Sequence, residues 1–287
     1  MFVSICVPTR NRPESLERMT HSILQSKYQN YEIIVVDNSD KITISANREI
    51  LAVDKRIIHL LADRKIGIAA LRQLAIENSH GDIVVCADDD IEVPDDWMSS
   101  VVRAFEGDPR LGIWGCQIIN YDEYGMEIHP SFHGAAKAEG TNGAFHPLRP
   151  GEKIATFGEF NMALCRKAVF EVGGFDHRFS WGHEGADLAK RILMAGYKLC
   201  DEPGVTIKHQ HSPSKSRPRI DRKEYLRLLY FFKYHTLMNF SFLYEIKRAY
   251  YSILEKNYSQ AFWVSINLIT LPWILWEARK NVRHHVW

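Results

Sequence analysis

Apolar runs alternate with helical patterns along the first 210 residues, and this alternation predicts an α/β fold. Short apolar runs bounded by polar residues are typical of buried strands. They occur at Phe2–Val7, Tyr31–Val36, Arg56–Leu61, Ile83–Ala87 and Val205–Lys208. Apolar residues at helical spacing predict helices that begin at Pro13 and that cover Ile68–Asn78 and Gly185–Ala195, and Phe157–Val172 predicts a strand followed by a short helix. Strands that alternate with helices indicate a parallel sheet.

The remaining segments depart from this alternation. Tyr121–Gly151 is rich in Gly, His, Pro and Asn and predicts a loop-rich insertion, whereas Ser212–Arg219 is typical of a linker. Lys223–Lys256 and Gln260–Val282 have helical, aromatic-rich patterns. We therefore expect an α/β domain at 1–212, divided into halves at 1–115 and 116–212, and a helical C-terminal extension at 213–287.

The charge of the chain is divided unevenly. The 36 basic and 35 acidic residues give a net charge of +1, which taken alone argues against a nucleic-acid or membrane-surface protein. From Val205 onward, however, 14 Lys and Arg stand against 5 Asp and Glu, which is +9. The preceding part then has 22 basic and 30 acidic residues, which is −8. The overall neutrality therefore does not exclude an acidic partner that binds the basic tail.

The cysteines and the chain ends indicate a compartment. Five cysteines, an odd number without a CxxC pair, predict reduced, buried thiols. The N-terminus MFVSICVPTRNR is typical of a strand rather than of a signal peptide. The longest apolar stretch, Phe262–Trp276, is interrupted by Ser265, Asn267, Thr270 and Pro272 and does not predict a membrane span. We expect a cytoplasmic protein, either free or at the cytoplasmic face of the membrane.

Three consecutive aspartates, Asp88, Asp89 and Asp90, follow the predicted strand Ile83–Ala87. Three adjacent carboxylates repel one another and need a counter-charge. Mg²⁺ or Mn²⁺ could supply it, because these ions prefer oxygen ligands and are commonly held by one or two carboxylates and substrate phosphates. An acidic, solvated loop is the alternative interpretation.

Several motifs follow one another in an informative order: VPTRNR, VVDNSD, GIAALRQLA, DIVVCADDD, NMALCRKAVFEVGGFD, HEGADLAKRILMAGYKL and IKHQH. In this order and spacing, from Phe2 to His211, they resemble glycosyltransferase family 2. The resemblance implies a GT-A fold, which is a Rossmann-like nucleotide-diphospho-sugar transferase fold. It also implies an inverting, nucleotide-sugar-dependent reaction.

The resemblance implies a donor site at the strand ends. Asp37 would accept a hydrogen bond from uracil or thymine, and Asp88 would contact the ribose or the sugar. Arg72 would meet the diphosphate, a task that suits a planar guanidinium. The other donor-side residues are Pro8, Thr9, Arg10, Arg12 and Asp89. The alternatives are that Asp37 forms a turn and that Arg72 is an exposed helix residue.

The resemblance also implies a metal cofactor, Mn²⁺ or Mg²⁺. Asp90 would hold the ion across both phosphates, where it would stabilise the departing nucleoside diphosphate. His209 or His211 would complete the metal shell or touch the diphosphate. The alternative is that both histidines lie in a solvated loop.

Inversion requires a general base that removes a proton from the acceptor hydroxyl. In the family this base usually comes from a Glu-Asp pair before a helix, and Gly185 stands here in place of that Asp. Glu184 is the first candidate for the base and Asp187 is the second. Asp187 is also expected to pair with Arg191 at i,i+4. His183 could assist or orient the acceptor, and an inactive or substrate-assisted site is a further alternative.

The acceptor side would be shaped by Trp181 and by the Tyr121–Gly151 segment. Trp181 could stack on a pyranose ring, although a single Trp is more often part of a core. The segment contains His129, His133 and His146, but these lack Cys partners or helical context, and we do not expect a zinc site.

Aromatic and basic residues interleave in the extension, as in YLRLLYFFKY at Tyr225–Tyr234. Two interpretations are balanced: peripheral attachment to an anionic membrane, or packing on the catalytic domain or on a second subunit as a homo-oligomer. Nucleic-acid contact is less favoured.

The expected function is transfer of a sugar from a UDP- or dTDP-sugar to a hydroxyl of a glycan or lipid-linked saccharide. Two rivals remain. A metal-dependent nucleotidyltransferase also uses acidic clusters, but VPTRNRPE lacks the glycines of a phosphate loop. The second rival is a non-catalytic protein that binds nucleotide-sugar or docks another transferase. It remains an alternative because Gly185 replaces the family's usual catalytic Asp.

Overall fold

The computed structural model describes residues 1–122, 124–128, 136–180, 182–210, 220–235, 237–254 and 257–279. The chain divides into two compact units. The first, the sheet unit, contains Met1–Ala138, Pro147–Ser180 and Glu184–Pro213. The second, the helical unit, contains Glu139–His146, Trp181–His183 and Ser214–Trp287. The helical unit therefore includes two short segments that lie before the predicted extension.

In the described ranges the strands are β1 (Val3–Thr9), β2 (Tyr31–Asp37), β3 (Ile57–Leu61), β4 (Ile83–Ala87), β5 (Ile91–Glu92), β6 (Leu111–Tyr121), β7 (Lys137–Glu139), β8 (Phe145–Pro147), β9 (Asn161–Cys165) and β10 (Lys198–Gln210). The α-helices described there are α1 (Pro13–Leu24), α2 (Lys41–Leu51), α3 (Ile68–Glu77), α4 (Trp97–Gly107), α5 (Arg166–Glu171), α6 (Glu184–Met194), α7 (Ile220–Tyr234), α8 (Phe242–Leu254), α9 (Tyr258–Ile269) and α10 (Leu271–Arg279).

The main sheet has eight strands in the order β3-β2-β1-β4-β9-β6-β10-β5. Strands β1 to β4 pair in parallel, and β6 pairs in parallel with β10. Strand β9 runs antiparallel to both β4 and β6, and β5 runs antiparallel to β10. The prediction of an α/β sheet is confirmed, but the prediction that it is parallel is wrong for β5 and β9. A parallel strand needs a long crossover connection, and the described residues between β6 and β9 contain no α-helix of this kind.

The strands β1, β2 and β4 are buried along their whole length, which explains their nearly continuous apolar sequences. Thr9 and Asp37 are register partners at the carboxyl ends of β1 and β2. Asp88 follows directly after β4. Polar side chains from three neighbouring strands therefore meet at one edge of the sheet, where ligands bind in open α/β folds.

Three of the five cysteines are buried, as predicted, whereas Cys165 and Cys200 are only partly buried. All five are unpaired by disulfides, and Cys6, Cys86 and Cys116 are buried. Burial raises the pKa of Cys86 and of Cys116 to about 12, so these thiols stay protonated at neutral pH.

The helical unit is organised around a buried ionic cluster. The carboxylate of Glu245 on α8 accepts hydrogen bonds from Asn142 Nδ2 at 2.8 Å, Arg227 Nη2 at 2.8 Å and Arg248 Nη1 at 3.2 Å. Asn142 has a left-handed backbone with φ of 53°. In addition, its carbonyl accepts a hydrogen bond from Arg227 at 2.6 Å. The segment Glu139–His146 is thereby fixed to α7 and α8.

Within the described ranges no single helix has both the length and the apolar composition needed to cross a membrane. Helices α9 and α10 meet these two criteria only as a pair, and the pair is bent by 72°.

Candidate active site

An arginine lies between two of the three consecutive aspartates. Arg12, in the loop after β1, places Nη2 2.5 Å from Asp89 Oδ1 and Nη1 2.7 Å from Asp90 Oδ2. Thr9 Oγ1 also donates a hydrogen bond to Asp89 Oδ2 at 2.6 Å. Part of the counter-charge that the aspartates require therefore comes from the protein itself.

The charges in this cluster shift one another's pKa values. Burial raises the pKa of Asp89 to about 7; Arg12 opposes this shift, and the neighbouring Asp90 adds to it. Burial alone would lower the pKa of Arg12, but Asp89, Asp90 and Asp88 raise it above its ordinary value. Arg12 is thus a permanent cation, with 28% of its side chain exposed at the edge of the site.

Asp90 and His209 form the part of the site that could hold a metal ion. The antiparallel pairing of β5 with β10 brings them together, and His209 Nε2 lies 3.3 Å from Asp90 Oδ1. The other ring nitrogen, Nδ1, lies 2.9 Å from Asn120 Oδ1, and the ring of Phe160 stacks on the imidazole at 4.2 Å. Because an amide oxygen only accepts, Nδ1 carries the proton. Nε2 then faces the Asp90 carboxylate, and a cation could lie between the two atoms.

The carboxylate oxygen fits both Mn²⁺ and Mg²⁺, which take further ligands from phosphates and water, whereas the imidazole nitrogen favours the transition-metal ion Mn²⁺ over Mg²⁺. Among the described residues no group of three or more His, Cys, Asp or Glu is arranged to hold an ion unaided. His211, the other predicted ligand, lies outside the described residues.

Arg72 on α3 joins Asp88 to Glu184. Its Nη2 lies 2.7 Å from Asp88 Oδ1 and its Nη1 lies 2.8 Å from Glu184 Oε1. The side chain of Arg72 is only 3% exposed. Burial would lower its pKa, but Asp88, Glu184 and Glu159 together raise it above the ordinary value. The alternative that Arg72 is an exposed helix residue is therefore wrong.

Glu159 is a third carboxylate beside this arginine, and its side chain fills the space next to Gly185. A Cβ added to Gly185 would lie 2.4 Å from Glu159 Cγ and 2.8 Å from Met162 Cε. Real Cβ atoms do not approach so closely, so a larger residue at 185 would displace Glu159. Within the described part of the chain Glu159 has no hydrogen bond or ion pair, and it is half-buried. Sequence reasoning missed this residue, and the only signal for it was the glycine at 185.

Asp187 pairs with Arg191 along α6, as predicted. Arg191 Nε and Nη2 both donate to Asp187 Oδ2, at 2.9 and 2.7 Å. Asp187 is fully buried, and Arg191 also donates to the carbonyl of Val172 at 2.7 Å. The pair ties α6 to the end of α5, which indicates a structural role.

Asp37 is fully buried at the end of β2. Its carboxylate accepts from the Ser39 amide at 2.9 Å and from Asn47 Nδ2 at 2.8 Å, and it lies 3.1 Å from His59 Nε2. Burial would raise the pKa of Asp37, but these hydrogen bonds, led by that of His59, lower it. A contact between Asp37 and a nucleobase stays a prediction. Sequence reasoning missed Asn47 and His59.

The loops after β1 and β2 are joined by hydrogen bonds. Asn11, in the left-handed region with φ of 55°, donates its amide to Ser39 Oγ at 2.8 Å. Its side chain accepts from the Asp40 amide at 2.9 Å. Pro8 is buried within β1, whereas Arg10 is exposed. These contacts hold the loop that carries Arg12.

His183 belongs to the helical unit. Its backbone is left-handed with φ of 67°, and its Nε2 lies 3.1 Å from the carbonyl of Gly143. The ring also packs against Phe145 and Tyr230, with centroids 5.6 and 5.5 Å away. Trp181 lies outside the described residues, as do His129 and His133.

The sequence profile described as "Glycosyl transferase family 2" matches residues 4–174, which is more than half of the chain. The chain belongs to glycosyl transferase family 2. The match includes Thr9, Arg12, Arg72, the three aspartates and Glu159, and it ends before α6.

Relatives of this family 2 chain differ widely in length. The O-antigen biosynthesis protein RfbC of Myxococcus xanthus is 26% identical over 245 residues, which is 78% of this chain and 18% of the relative. The chain spans 25%, 18% and 35% of the first three curated relatives that it matches.

Solved structures share the fold. A crystal structure of GalNAc-T7 with UDP, GalNAc and Mn²⁺ has a TM-score of 0.63 at 19% identity, covering 76% of this chain and 45% of that one. The mannosyltransferase PcManGT from Pyrobaculum calidifontis, in complex with GDP-Man and Mn²⁺, has a TM-score of 0.57 at 21% identity. It covers 96% of this chain and 72% of that one, so the likeness extends into the helical extension. The predicted GT-A fold is confirmed.

Proposed function

We propose that this chain transfers a sugar, with inversion, from a UDP- or dTDP-sugar to a hydroxyl of a glycan or lipid-linked saccharide. The observation that carries the proposal is the juxtaposition of Arg12 with Asp89 and Asp90 at the edge of the sheet. A nucleoside diphosphate and a divalent cation together present both negative and positive charge. A site with acidic and basic groups side by side suits that pair.

The relatives support this class of donor. GalNAc-T7 was solved with UDP, GalNAc and Mn²⁺, and PcManGT with GDP-Man and Mn²⁺. RfbC is named for O-antigen biosynthesis. These names favour a nucleotide-sugar donor and a saccharide acceptor for this chain as well.

Arg12, rather than Arg72, is suited to contact the diphosphate. Both arginines pair their Nη atoms with carboxylates, but 28% of the Arg12 side chain is exposed and only 3% of the Arg72 side chain is. We therefore assign Arg12 to the donor phosphates. Arg72 would hold Asp88 and Glu184 in place as a positioning residue. Asp88, with 26% of its side chain exposed, would face the ribose or the sugar.

Asp90 and His209 would hold Mn²⁺ or Mg²⁺. When bound, such an ion stabilises the negative charge that builds up on the leaving diphosphate. Asn120 would act through His209, because its amide oxygen fixes the proton on Nδ1 and leaves Nε2 to face Asp90.

Glu159 is the carboxylate best placed to act as general base. Glu184 and Asp187 are each bound to an arginine and are 4% and 0% exposed. A guanidinium stabilises the anionic form of its partner and so weakens it as a base. Glu159 also lies near Arg72, but in the described part of the chain it makes no direct hydrogen bond or ion pair with a cation, and it is half-buried. We therefore transfer the role expected of Glu184 to Glu159.

The chemistry follows from these assignments. Glu159 takes the proton from the acceptor hydroxyl as its oxygen bonds to the anomeric carbon. The bond from that carbon to the phosphate oxygen breaks, and its electron pair leaves with the nucleoside diphosphate. Attack opposite the leaving group inverts the anomeric configuration.

A ligand panel tests the donor class. Specific binding stabilises the folded state, so UDP- or dTDP-sugars with Mn²⁺ should raise the melting temperature more than GDP-sugars or free nucleoside triphosphates do. Preference for a triphosphate would favour a nucleotidyltransferase. Binding without transfer to any saccharide acceptor would favour a non-catalytic protein. NMR of the product then distinguishes inversion from retention.

A further inference from the structure

Helix α8 exposes its apolar side and buries polar residues. Phe242, Leu243, Ile246, Tyr250, Ile253 and Leu254 are each between 48% and 62% exposed. At 3.6 residues per turn these six side chains lie within an arc of about 120°. We call this set the α8 face. Glu245 and Ser252, which are 1% and 4% exposed, lie on the opposite side. A surface helix of a globular protein has the reverse arrangement.

The orientation of α8 is fixed by the buried ionic cluster described above. Glu245 is held by Asn142, Arg227 and Arg248. Rotation of the helix to bury the α8 face would expose or unpair these charges, and a buried charge without its partner is strongly destabilising. The exposure of the α8 face is therefore built into the helical unit.

Other exposed residues of the helical unit have the composition of a membrane interface. Phe262 on α9 and Trp273 and Trp276 on α10 are 57%, 53% and 57% exposed. Trp and Tyr are enriched where hydrocarbon meets water. Lys247, Lys223 and Arg279 are exposed cations of the same unit. Together with the charge of +9 from Val205 onward, they would attract an anionic surface.

We propose that the α8 face docks on an anionic lipid bilayer, with the helix lying in the plane of the interface. The 13 residues of α8 span about 20 Å at 1.5 Å per residue, which is less than the hydrocarbon thickness of about 30 Å. The helix is thus suited to lie in the surface rather than to cross it. Bilayer binding does not require that the chain transfer a sugar. If the chain is also a transferase, as proposed above, membrane binding would give it access to lipid-linked acceptors.

Charge favours lipid over a second copy of the chain as the occupant of this face. A symmetric dimer would bring two identical, positively charged extensions together. This repulsion would oppose association, whereas an anionic bilayer has the complementary charge.

Flotation of the full chain with vesicles tests the proposal. We expect binding to vesicles of phosphatidylcholine with phosphatidylglycerol and much weaker binding to phosphatidylcholine alone. The double variant Ile246→Glu, Tyr250→Glu should bind the anionic vesicles at least about tenfold more weakly, because it places carboxylates in the apolar contact. The matched control is Ile42→Glu, which alters a residue of α2 that is 86% exposed and should leave binding unchanged.

Each of the other outcomes would overturn the proposal. If the wild-type chain binds neither kind of vesicle, the proposal is wrong. If the double variant binds as strongly as the wild type, the α8 face is not the membrane contact. Equal binding to both vesicles removes the role of charge. A lipid-free dimer that the double variant dissociates, seen by light scattering after size exclusion, assigns the face to a second copy. Circular dichroism and the melting temperature establish that the variants are folded.

Discussion

Glu159 occupies the space that a side chain at position 185 would need, with its Cγ 2.4 Å from the place of a Gly185 Cβ. The two positions are 26 residues apart in sequence, yet their side-chain volumes exclude one another. The aliphatic part of Glu159, in the loop before β9, therefore fills the space next to the start of α6. The glycine at 185 and the position of the Glu159 side chain are thus linked by packing.

Restoring a carboxylate at 185 should therefore destabilise the chain. Gly185→Asp would overpack the site, at a cost of about 1–3 kcal/mol, and lower the melting temperature. The double variant Gly185→Asp, Glu159→Ala should recover much of that loss, because it removes the clash. Additive effects of the two substitutions in a double-mutant cycle would contradict the proposed exclusion.

Loss of the Glu159 carboxylate should affect the chemical step. We expect Glu159→Gln to lower kcat by about 10²–10⁴-fold, with little change in donor affinity or melting temperature. Glu49→Gln, which alters an exposed carboxylate on α2, is the matched control and should have full activity. If kcat is unchanged in Glu159→Gln, Glu159 is not the general base.

Glu184→Gln should have the opposite profile. It would weaken the pairing of Arg72, a buried cation with 3% exposure, and we expect destabilisation of up to about 3–5 kcal/mol. The melting temperature should fall more than in Glu159→Gln. A variant that is fully stable but inactive would return the role of base to Glu184.

Removal of His209 should weaken metal retention. His209→Ala would eliminate one of the two proposed protein ligands, and Asn120→Ala, which removes the hydrogen-bond partner of the imidazole Nδ1, should weaken Mn²⁺ affinity by about 10–100-fold. Paramagnetic resonance of free Mn²⁺ in the presence of UDP measures this directly. His21→Ala alters an exposed histidine on α1 and serves as the control. Equal Mn²⁺ affinity in all three variants would exclude the Asp90–His209 pair as the metal site.

The hydrogen bonds to Asp37 should determine part of the acid stability. Because they lower its pKa in the folded state, Asp37 contributes stability above its unfolded pKa of about 4, and this is lost as pH falls through the lower folded value. In Asn47→Leu, His59→Leu, burial would dominate and raise the folded pKa. Melting temperatures measured against pH should then decline at a higher pH than in wild type. A parallel decline would contradict the assignment.

Elements with strong, simple patterns could be predicted from the sequence. Strands β1, β2 and β4 are buried on both sides and have continuous apolar sequences, and α1 begins at the predicted Pro13. Helix α2 was missed because Lys41–Leu51 is rich in β-branched and polar residues. Strand β9 and the short helix α5 lie within Phe157–Val172, as predicted, but the antiparallel direction of β9 was not predicted, because strand direction depends on the tertiary connection rather than on local pattern.

The same limit applies to the candidate site. The aspartates, Arg72 and Asp187 are recognisable from motifs, and the Asp187–Arg191 pair follows from helical spacing. The choice of partners does not follow: Arg12 with Asp89 and Asp90, Arg72 with Asp88 and Glu184, and Glu159 over Gly185. These contacts join residues far apart in sequence, and no periodicity encodes them.

The helical unit is assembled from three separate stretches of chain, and two of these are inserted between parts of the sheet unit. Consequently neither unit is a single continuous segment of the chain that could be exchanged on its own. A chimera that exchanged only the residues after Pro213 would pair foreign helices with the native Asn142 and His183. An exchange of the helical unit between relatives would have to include all three stretches. For the same reason, we expect the sequences of the three stretches to change together among relatives.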